Sequence, residues 1–66
     1  MKIHVNGAAR EVPDNYTAAE LVAAMDLAGK RIAMEVNMEI VPRSSYATHR
    51  FQPGDKVEVV QAIGGG

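Results

Sequence analysis

Length, composition and charge exclude several classes of protein before any motif is considered. The 66-residue chain makes one domain, and a domain this small buries only about 60% of its unfolded surface, which leaves no room for a large internal substrate pocket. Seven Lys and Arg against eight Asp and Glu give a net charge of -1, so no basic surface for nucleic acid is expected. The absence of cysteine excludes disulfides, thiolate metal sites and a cysteine nucleophile. With no apolar run of the roughly 18 residues that a membrane span needs, a cytoplasmic protein is expected.

The N-terminal segment predicts a β-hairpin. Apolar and polar residues alternate over 1–6, which is the period of a strand with one buried face. Asn6-Gly7 is the strongest short hairpin signal, because both residues tolerate positive φ. The chain returns over 10–12 as a short second strand, and Pro13 ends it because proline cannot donate to a ladder.

A single helix is predicted after this hairpin. Thr17 and Glu20 match the capping box, in which each side chain binds a backbone amide that the helix start leaves without a partner. Apolar residues recur at steps of three and four and form one stripe. This stripe is made by Ala18, Leu21, Val22, Met25 and Ala28. Gly29 is predicted to end the helix, with Lys30 and Arg31 beside the negative end of the helix dipole.

The second half of the chain predicts three more strands. Alternation over 32–36 indicates a third strand, and Ile40-Val41 forms a short fourth strand after a turn at 37–39. The segment 43–50 has no sustained period, which suits a loop or a single helical turn. Pro53-Gly54-Asp55 is a turn that leads into a final, valine-rich strand.

These elements form an α+β pattern, in which one amphipathic helix covers one face of a single sheet. If the first and last strands are neighbours, as in a β-grasp fold, the other face carries a set of mainly polar residues. These are Lys2, His4, Asn6, Glu58 and Val60. Val60 is the one apolar residue of this set. An exposed valine among charged residues is more often part of an interface than a chance exposure, so Val60 is predicted to contact a partner. His4 and His49 are far apart with no clustered carboxylates, so no metal site is predicted.

The end of the sequence carries the candidate site. The three glycines of 64–66 can neither hold a strand nor cap a following helix. The ordered domain is therefore expected to end near Ile63, and the tail 62–66 reaches about 17 Å at roughly 3.3–3.6 Å per residue. That reach is enough to place a terminal carboxylate in a partner's active site. A glycine tail alone is more often a linker, so the tail needs support from the rest of the chain.

Several motifs together supply that support, and their order covers the whole chain. They are the Asn-Gly hairpin, the capped helix, the stretch Val36-Asn37-Met38-Glu39-Ile40-Val41-Pro42-Arg43, the Pro53-Gly54-Asp55 turn and the terminal Gly65-Gly66. This pattern resembles the ThiS family of thiamin-pathway sulfur carriers. Gly64 stands where several relatives have alanine. The resemblance implies one ubiquitin-like β-grasp domain over 1–66, with a single mixed sheet packed on one main helix and 62–66 as a flexible tail.

The resemblance also implies a chemistry for the tail. In the family, an adenylyltransferase (ThiF) uses Mg-ATP to convert the terminal carboxylate, here that of Gly66, to an acyl-adenylate. A sulfur donor such as a cysteine desulfurase then provides sulfur for a thiocarboxylate, and thiazole synthase (ThiG) takes that sulfur for the thiazole ring of thiamin. On this basis Gly66 is the acceptor, and Gly65 is the tail element that the partner's channel must admit. Gly64 is predicted to belong to the same partner-binding tail. Ile63 and Val60 are predicted partner contacts that do not come from the resemblance.

The implied protein is a co-substrate and not an enzyme, and the alternatives stay open. It would bind no cofactor, metal, nucleic acid or membrane itself, and it would be a monomer when free. The second class is another tail-activated role, either the small subunit of molybdopterin synthase or a modifier that joins lysines through an isopeptide bond. The third class is a plain binding domain with an inert tail.

Overall fold

The computed structural model describes residues 1–62, and these form one five-stranded sheet and one α-helix. The strands are β1 (Lys2–Val5), β2 (Ala8–Glu11), β3 (Ile32–Val36), β4 (Glu39–Val41) and β5 (Lys56–Gln61). The helix α1 spans Ala18–Ala24, and a single 3-10 turn spans Arg43–Ser45. All the predicted elements are therefore present. For most of the strands, the observed boundaries differ from the predicted ones by one to three residues.

The sheet is mixed, in the order β2-β1-β5-β3-β4. The first and last strands run parallel at its centre, where His4 lies opposite Lys56. On the other side β3 runs antiparallel to β5 over its full length, from Ile32 opposite Gln61 to Val36 opposite Val57. The predicted neighbour relation of the first and last strands is confirmed, and the strand that leads to the tail is central in the sheet.

Both hairpins turn on an asparagine with positive φ. Asn6 and Gly7 have φ of 51° and 84°, and Asn37 and Met38 have φ of 51° and 70°. Positive φ at both central residues is the mark of a type I′ turn, whose twist matches that of the flanking strands. Asn37 also binds the start of β5, because its Oδ1 accepts from the Lys56 amide at 3.0 Å. The two turns therefore hold β5 as well as their own strands.

The helix begins as predicted. The Glu20 amide donates to Thr17 Oγ1 at 3.2 Å, and the Thr17 amide donates to Glu20 Oε1 at 3.0 Å. These reciprocal hydrogen bonds are a complete capping box. The sequence signature was sufficient here because both partners lie within four residues of each other.

The helix ends earlier than predicted. Its C-cap is Met25, and Asp26 follows with φ of 60°. The Asp26 amide donates to the Ala23 carbonyl at 3.0 Å, and the Leu27 amide donates to the Val22 carbonyl at 2.9 Å. This is a Schellman motif with aspartate in the left-handed position that glycine usually takes. Aspartate tolerates that conformation, so the helix stops three residues before Gly29.

Three expectations about this region were therefore wrong. Gly29, with φ of 79°, belongs to the turn that follows the helix and does not end it. Ala28 lies outside the helix and is exposed, so it does not extend the apolar stripe. Lys30 and Arg31 consequently lie beyond the last helical turn, which contains no basic residue.

The core lies between α1 and one face of the sheet. Phe51 is 2% exposed and is among the largest fully buried side chains of this core. The other buried apolar residues come from the helix, from alternate strand positions and from the loops. They are Ile3, Val5, Val12, Ala18, Leu21, Val22, Met34, Val36, Val41, Tyr46, Val57 and Val59. Within residues 1–62 no helix is long and apolar enough to cross a bilayer.

Candidate functional site

The root of the candidate tail is tied into the sheet. The amide of Ala62 donates to the carbonyl of Arg31 at 2.8 Å, one residue beyond the pairing of Gln61 with Ile32. Of the residues predicted for the tail site, Ile63, Gly64, Gly65 and Gly66 lie outside the described residues. The described chain thus ends at a central strand that neighbours hold on both sides.

Asn6 extends the support of β5 past the end of β1. Its Nδ2 donates to the Val59 carbonyl at 3.1 Å, and its Oδ1 accepts from the Val59 amide at 2.9 Å. The strand β1 ends at Val5. The side-chain amide of Asn6 therefore makes the two hydrogen bonds to β5 that the backbone of a longer β1 would make. Asn6 was expected among the residues of the open sheet face, but its amide is used to hold the last strand near the tail root.

The sheet face opposite the helix is uncovered, and Val60 lies on it. We call this surface the open face, and its central part consists of Ala33, Glu35, Ile40, Glu58 and Val60. Val60 lies opposite Ala33, and Glu35 lies opposite both Glu58 and Ile40. Val60 is 57% exposed and Ile40 is 76% exposed. The exposure of Val60 matches the expectation, while its contact with a partner stays a prediction.

Sequence reasoning missed two exposed apolar residues of the β3–β4 hairpin, one of which belongs to this face. Met38 is 92% exposed at the tip of the β3–β4 hairpin, and Ile40 is on the edge strand β4. The signal was present in the sequence, because adjacent residues of a strand face opposite sides, so that a buried Val41 places Ile40 on the other face. Val60, two residues before Ala62, is thus the exposed apolar residue near the tail root, whereas Ile40 and Met38 lie toward the opposite end of β3.

The open face also pairs two like charges. Glu35 and Glu58 are directly opposite on antiparallel strands, and both are exposed. Like charges at directly opposite positions destabilise a sheet. The open face therefore has an apolar part, around Val60 and Ile40, and an acidic part between them.

The histidines and carboxylates do not form a reactive group. His4 lies on β1, while His49 packs edge-on against Phe51 with ring centroids 5.5 Å apart and an interplanar angle of 74°. Among residues 1–62 there is no group of three or more His, Asp or Glu side chains placed to hold a metal ion.

Comparison with known proteins decides the family. The model of the ThiS family matches residues 3–66, which is nearly the whole chain. The chain belongs to the ThiS family. The sulfur carrier protein ThiS of Escherichia coli is 35% identical over 66 residues, and the match covers all of both chains. The crystal structure of the thiamine biosynthesis protein ThiS from Geobacter metallireducens superposes with a TM-score of 0.83 at 29% identity and full coverage of both chains. These matches confirm the β-grasp fold.

Two further relatives of this ThiS-family chain are longer. The thiazole synthase of Paramagnetospirillum magneticum is 41% identical over 66 residues, and that of Magnetococcus marinus is 36% identical over 66 residues. Each match covers all of this chain but only 20% of the relative. The chain therefore spans about a fifth of the length of these relatives, in which a ThiS-like segment is part of a protein named as a thiazole synthase.

Proposed function

We propose that this sulfur carrier of thiamin biosynthesis holds its sulfur on the carbonyl carbon of Gly66, as a thiocarboxylate. The observation that carries the proposal is the match to the ThiS family over residues 3–66, because it includes the glycine tail as well as the folded body. The carrier is not a catalyst. It is a co-substrate that enzymes load and unload.

Two steps load the tail. A carboxylate anion is a poor electrophile, so its oxygen first attacks the α-phosphorus of ATP, and pyrophosphate leaves. A thiol reductant releases hydrosulfide from the persulfide of a donor such as a cysteine desulfurase, and a disulfide forms. The hydrosulfide then attacks the Gly66 carbonyl, AMP leaves, and the thiocarboxylate remains. The adenylating enzyme, a ThiF-like adenylyltransferase, holds the Mg-ATP, and this chain binds no cofactor. Cytoplasm is the expected location, because the ATP that the first step consumes is made there.

Glycine is the residue type that this chemistry favours in the tail. Gly64, Gly65 and Gly66 have no Cβ, so a narrow channel can admit them and a nucleophile can approach the backbone carbonyl closely. The body contributes position, because β5 is held by β1, β3 and the Asn6 amide up to the tail root. Ile63 is proposed to contact the entrance of the channel.

Val60 and the open face are proposed to contact the enzymes. Support comes from the 57% exposure of Val60 on a central strand and from the acidic pair Glu35 and Glu58 beside it. A second copy of this chain is a poor occupant, since two such faces would bring four glutamates together. A partner with apolar residues around a basic side chain complements the face, and the free carrier is expected to be a monomer.

A thiazole synthase is proposed as the acceptor of the sulfur. Two relatives that are named as thiazole synthases contain a segment similar to this whole chain. When a carrier and its acceptor are parts of one polypeptide, each has a high effective concentration near the other. This arrangement helps sulfur transfer only if the carrier and the acceptor have to bind each other.

Intact mass spectrometry tests the proposal. The full chain is incubated with Mg-ATP, a ThiF-like adenylyltransferase and a sulfur donor, and the expected product has one oxygen replaced by sulfur, located in the peptide that ends at Gly66. An unchanged mass would favour a binding domain with an inert tail. The loaded carrier is then offered to thiazole synthase and to the large subunit of molybdopterin synthase. Sulfur transfer to the second enzyme alone would contradict the proposed role in thiamin synthesis.

A further inference from the structure

Three basic residues lie close to the tail root. The carbonyl of Arg31 accepts a hydrogen bond from the amide of Ala62 at 2.8 Å. Lys30 directly precedes Arg31 in the chain. Arg43 comes from the other end of β4, and its Nη2 donates to the Lys30 carbonyl at 2.5 Å. These two hydrogen bonds, to the carbonyls of adjacent residues, place Lys30, Arg31 and Arg43 close to the point where the described chain ends. We call these three residues the basic collar.

The basic collar has no acidic partner within residues 1–62. The ion pairs in this part of the chain both involve the amino group of Met1, which lies 3.8 Å from carboxylate oxygens of Glu11 and Asp14. All three collar residues are exposed. A guanidinium has five N–H donors, so Arg43 keeps donors for an external acceptor after binding one carbonyl.

We propose that the basic collar binds an acidic surface on the adenylating enzyme. This surface lies at the mouth of the channel that admits the tail, and the inference rests on the proposed function. From Ala62 the four remaining residues reach at most about 13–14 Å at 3.3–3.6 Å each. An enzyme that holds the carboxylate of Gly66 must therefore bring the rim of its channel close to the collar. Carboxylates on that rim would attract the three cations.

The basic collar and the open face together fix one docking orientation. The acidic pair Glu35 and Glu58 lies on the sheet surface, while the cations of the collar lie at the end of β5. Opposite charges at two separate places favour one orientation of the carrier and oppose the reverse one. The binding energy of Val60 and its apolar neighbours is then available only when the tail points into the channel.

Nucleotide phosphate is a less suitable occupant of the basic collar. ATP reacts at the carboxylate of Gly66, and an extended tail places that group about 13–14 Å from Ala62. At physiological ionic strength the Debye length is about 8 Å, so the collar would act weakly on phosphates at that distance. Acidic side chains at the channel mouth can instead lie in direct contact with the cations.

Adenylation kinetics test the role of the basic collar. The concentration of carrier is varied at saturating Mg-ATP, and pyrophosphate release is measured for the natural chain and for Lys30→Glu/Arg31→Glu. We expect KM for the carrier to rise about tenfold or more with kcat nearly unchanged, because the charges act on association and not on the reacting carbonyl. The difference should shrink as salt is raised. The neutral pair Lys30→Gln/Arg31→Gln should give an intermediate KM.

A matched control separates the position of the charges from net charge. Arg10→Glu/Arg50→Glu changes net charge equally, but Arg10 is on the edge strand β2 and Arg50 pairs with Thr17 at the start of the helix. We expect its KM to stay within about twofold of the natural value. Equal KM values for the two double variants would overturn the proposal, as would a defect found only in KM for ATP.

Two failures remain distinguishable in this experiment. Release of pyrophosphate by the natural chain with no change in the Lys30→Glu/Arg31→Glu variant would overturn the basic collar alone. No release by the natural chain would overturn the proposed function, and the role of the collar with it. Thermal unfolding of each variant is measured alongside, so that a loss of fold is recognised.

Discussion

At the residue scale, two asparagines do more than form turns. Asn6 and Asn37 each take a positive φ at the first central turn position, where few other residues are tolerated. Each also uses its side-chain amide to bind the backbone of β5, Asn6 at Val59 and Asn37 at Lys56. The last strand is therefore held from both sides by side chains that a turn signal alone does not reveal.

Asn6→Gly should lower the free energy of unfolding. Glycine keeps the positive φ of 51° without strain, so the variant isolates the loss of the two hydrogen bonds to Val59. With about 0.5–1.5 kcal/mol for each bond, we expect a loss of about 1–3 kcal/mol in urea unfolding.

Asn15→Gly is the matched control for this variant. Asn15 also has a positive φ, of 62°, but no side-chain hydrogen bond within residues 1–62. Its effect should therefore be small. Equal losses in the two variants would show that the Asn6 amide does not stabilise β5.

At the element scale, the end of the helix shows where local sequence signals compete. A glycine with two basic residues after it is a typical stop signal, and it predicted an end at Gly29. Asp26 takes the left-handed position first, and its amide and that of Leu27 complete the motif. Aspartate is less common there than glycine, so the sequence pattern favoured the wrong residue.

Asp26→Gly should stabilise the protein. Glycine adopts a φ of 60° without a Cβ clash, and the substitution removes an anion from the negative end of the helix dipole. We expect the free energy of unfolding to rise by about 0.5–1 kcal/mol, measured by urea denaturation. Asp26→Asn is the control, since it removes only the charge and should give a smaller gain. A lower stability for Asp26→Gly would contradict the role of Asp26 as the C-terminal stop.

The open face belongs to the same scale, because it is made by neighbouring strands. Val60→Thr keeps the β-branched shape and the strand propensity while replacing one methyl group with a hydroxyl. If Val60 contacts the adenylating enzyme, KM for the carrier should rise about fivefold, which corresponds to roughly 1 kcal/mol of binding energy. Ala47→Ser, in an exposed loop away from this face, is the control. An unchanged KM for Val60→Thr would remove Val60 from the interface.

At the scale of the whole molecule, the sequence predicted what depends on near neighbours in the chain. Asn6-Gly7 and the Thr17–Glu20 capping box involve adjacent or nearly adjacent residues, and both are present. The fold class followed from the order of the elements and from the family resemblance. The features that were missed depend on contacts between distant segments.

The basic collar is the clearest feature of this kind. Arg31 and Ala62 are 31 positions apart, and they meet only because of the register between β3 and β5. Arg43, which comes from a third segment, joins them by donating to the carbonyl of Lys30. A single sequence contains the three cations but does not contain the register that brings them together.

The central proposal is that the reactive group of this chain is the terminal carboxylate of Gly66. It is tested by a chain that lacks Gly65 and Gly66, compared with the full chain in thermal unfolding and in adenylation by a ThiF-like enzyme with Mg-ATP. Every buried core residue described by the structure precedes the deletion, so we expect an almost unchanged Tm and no formation of acyl-adenylate. Adenylation of the shortened chain at the rate of the full chain would contradict the claim.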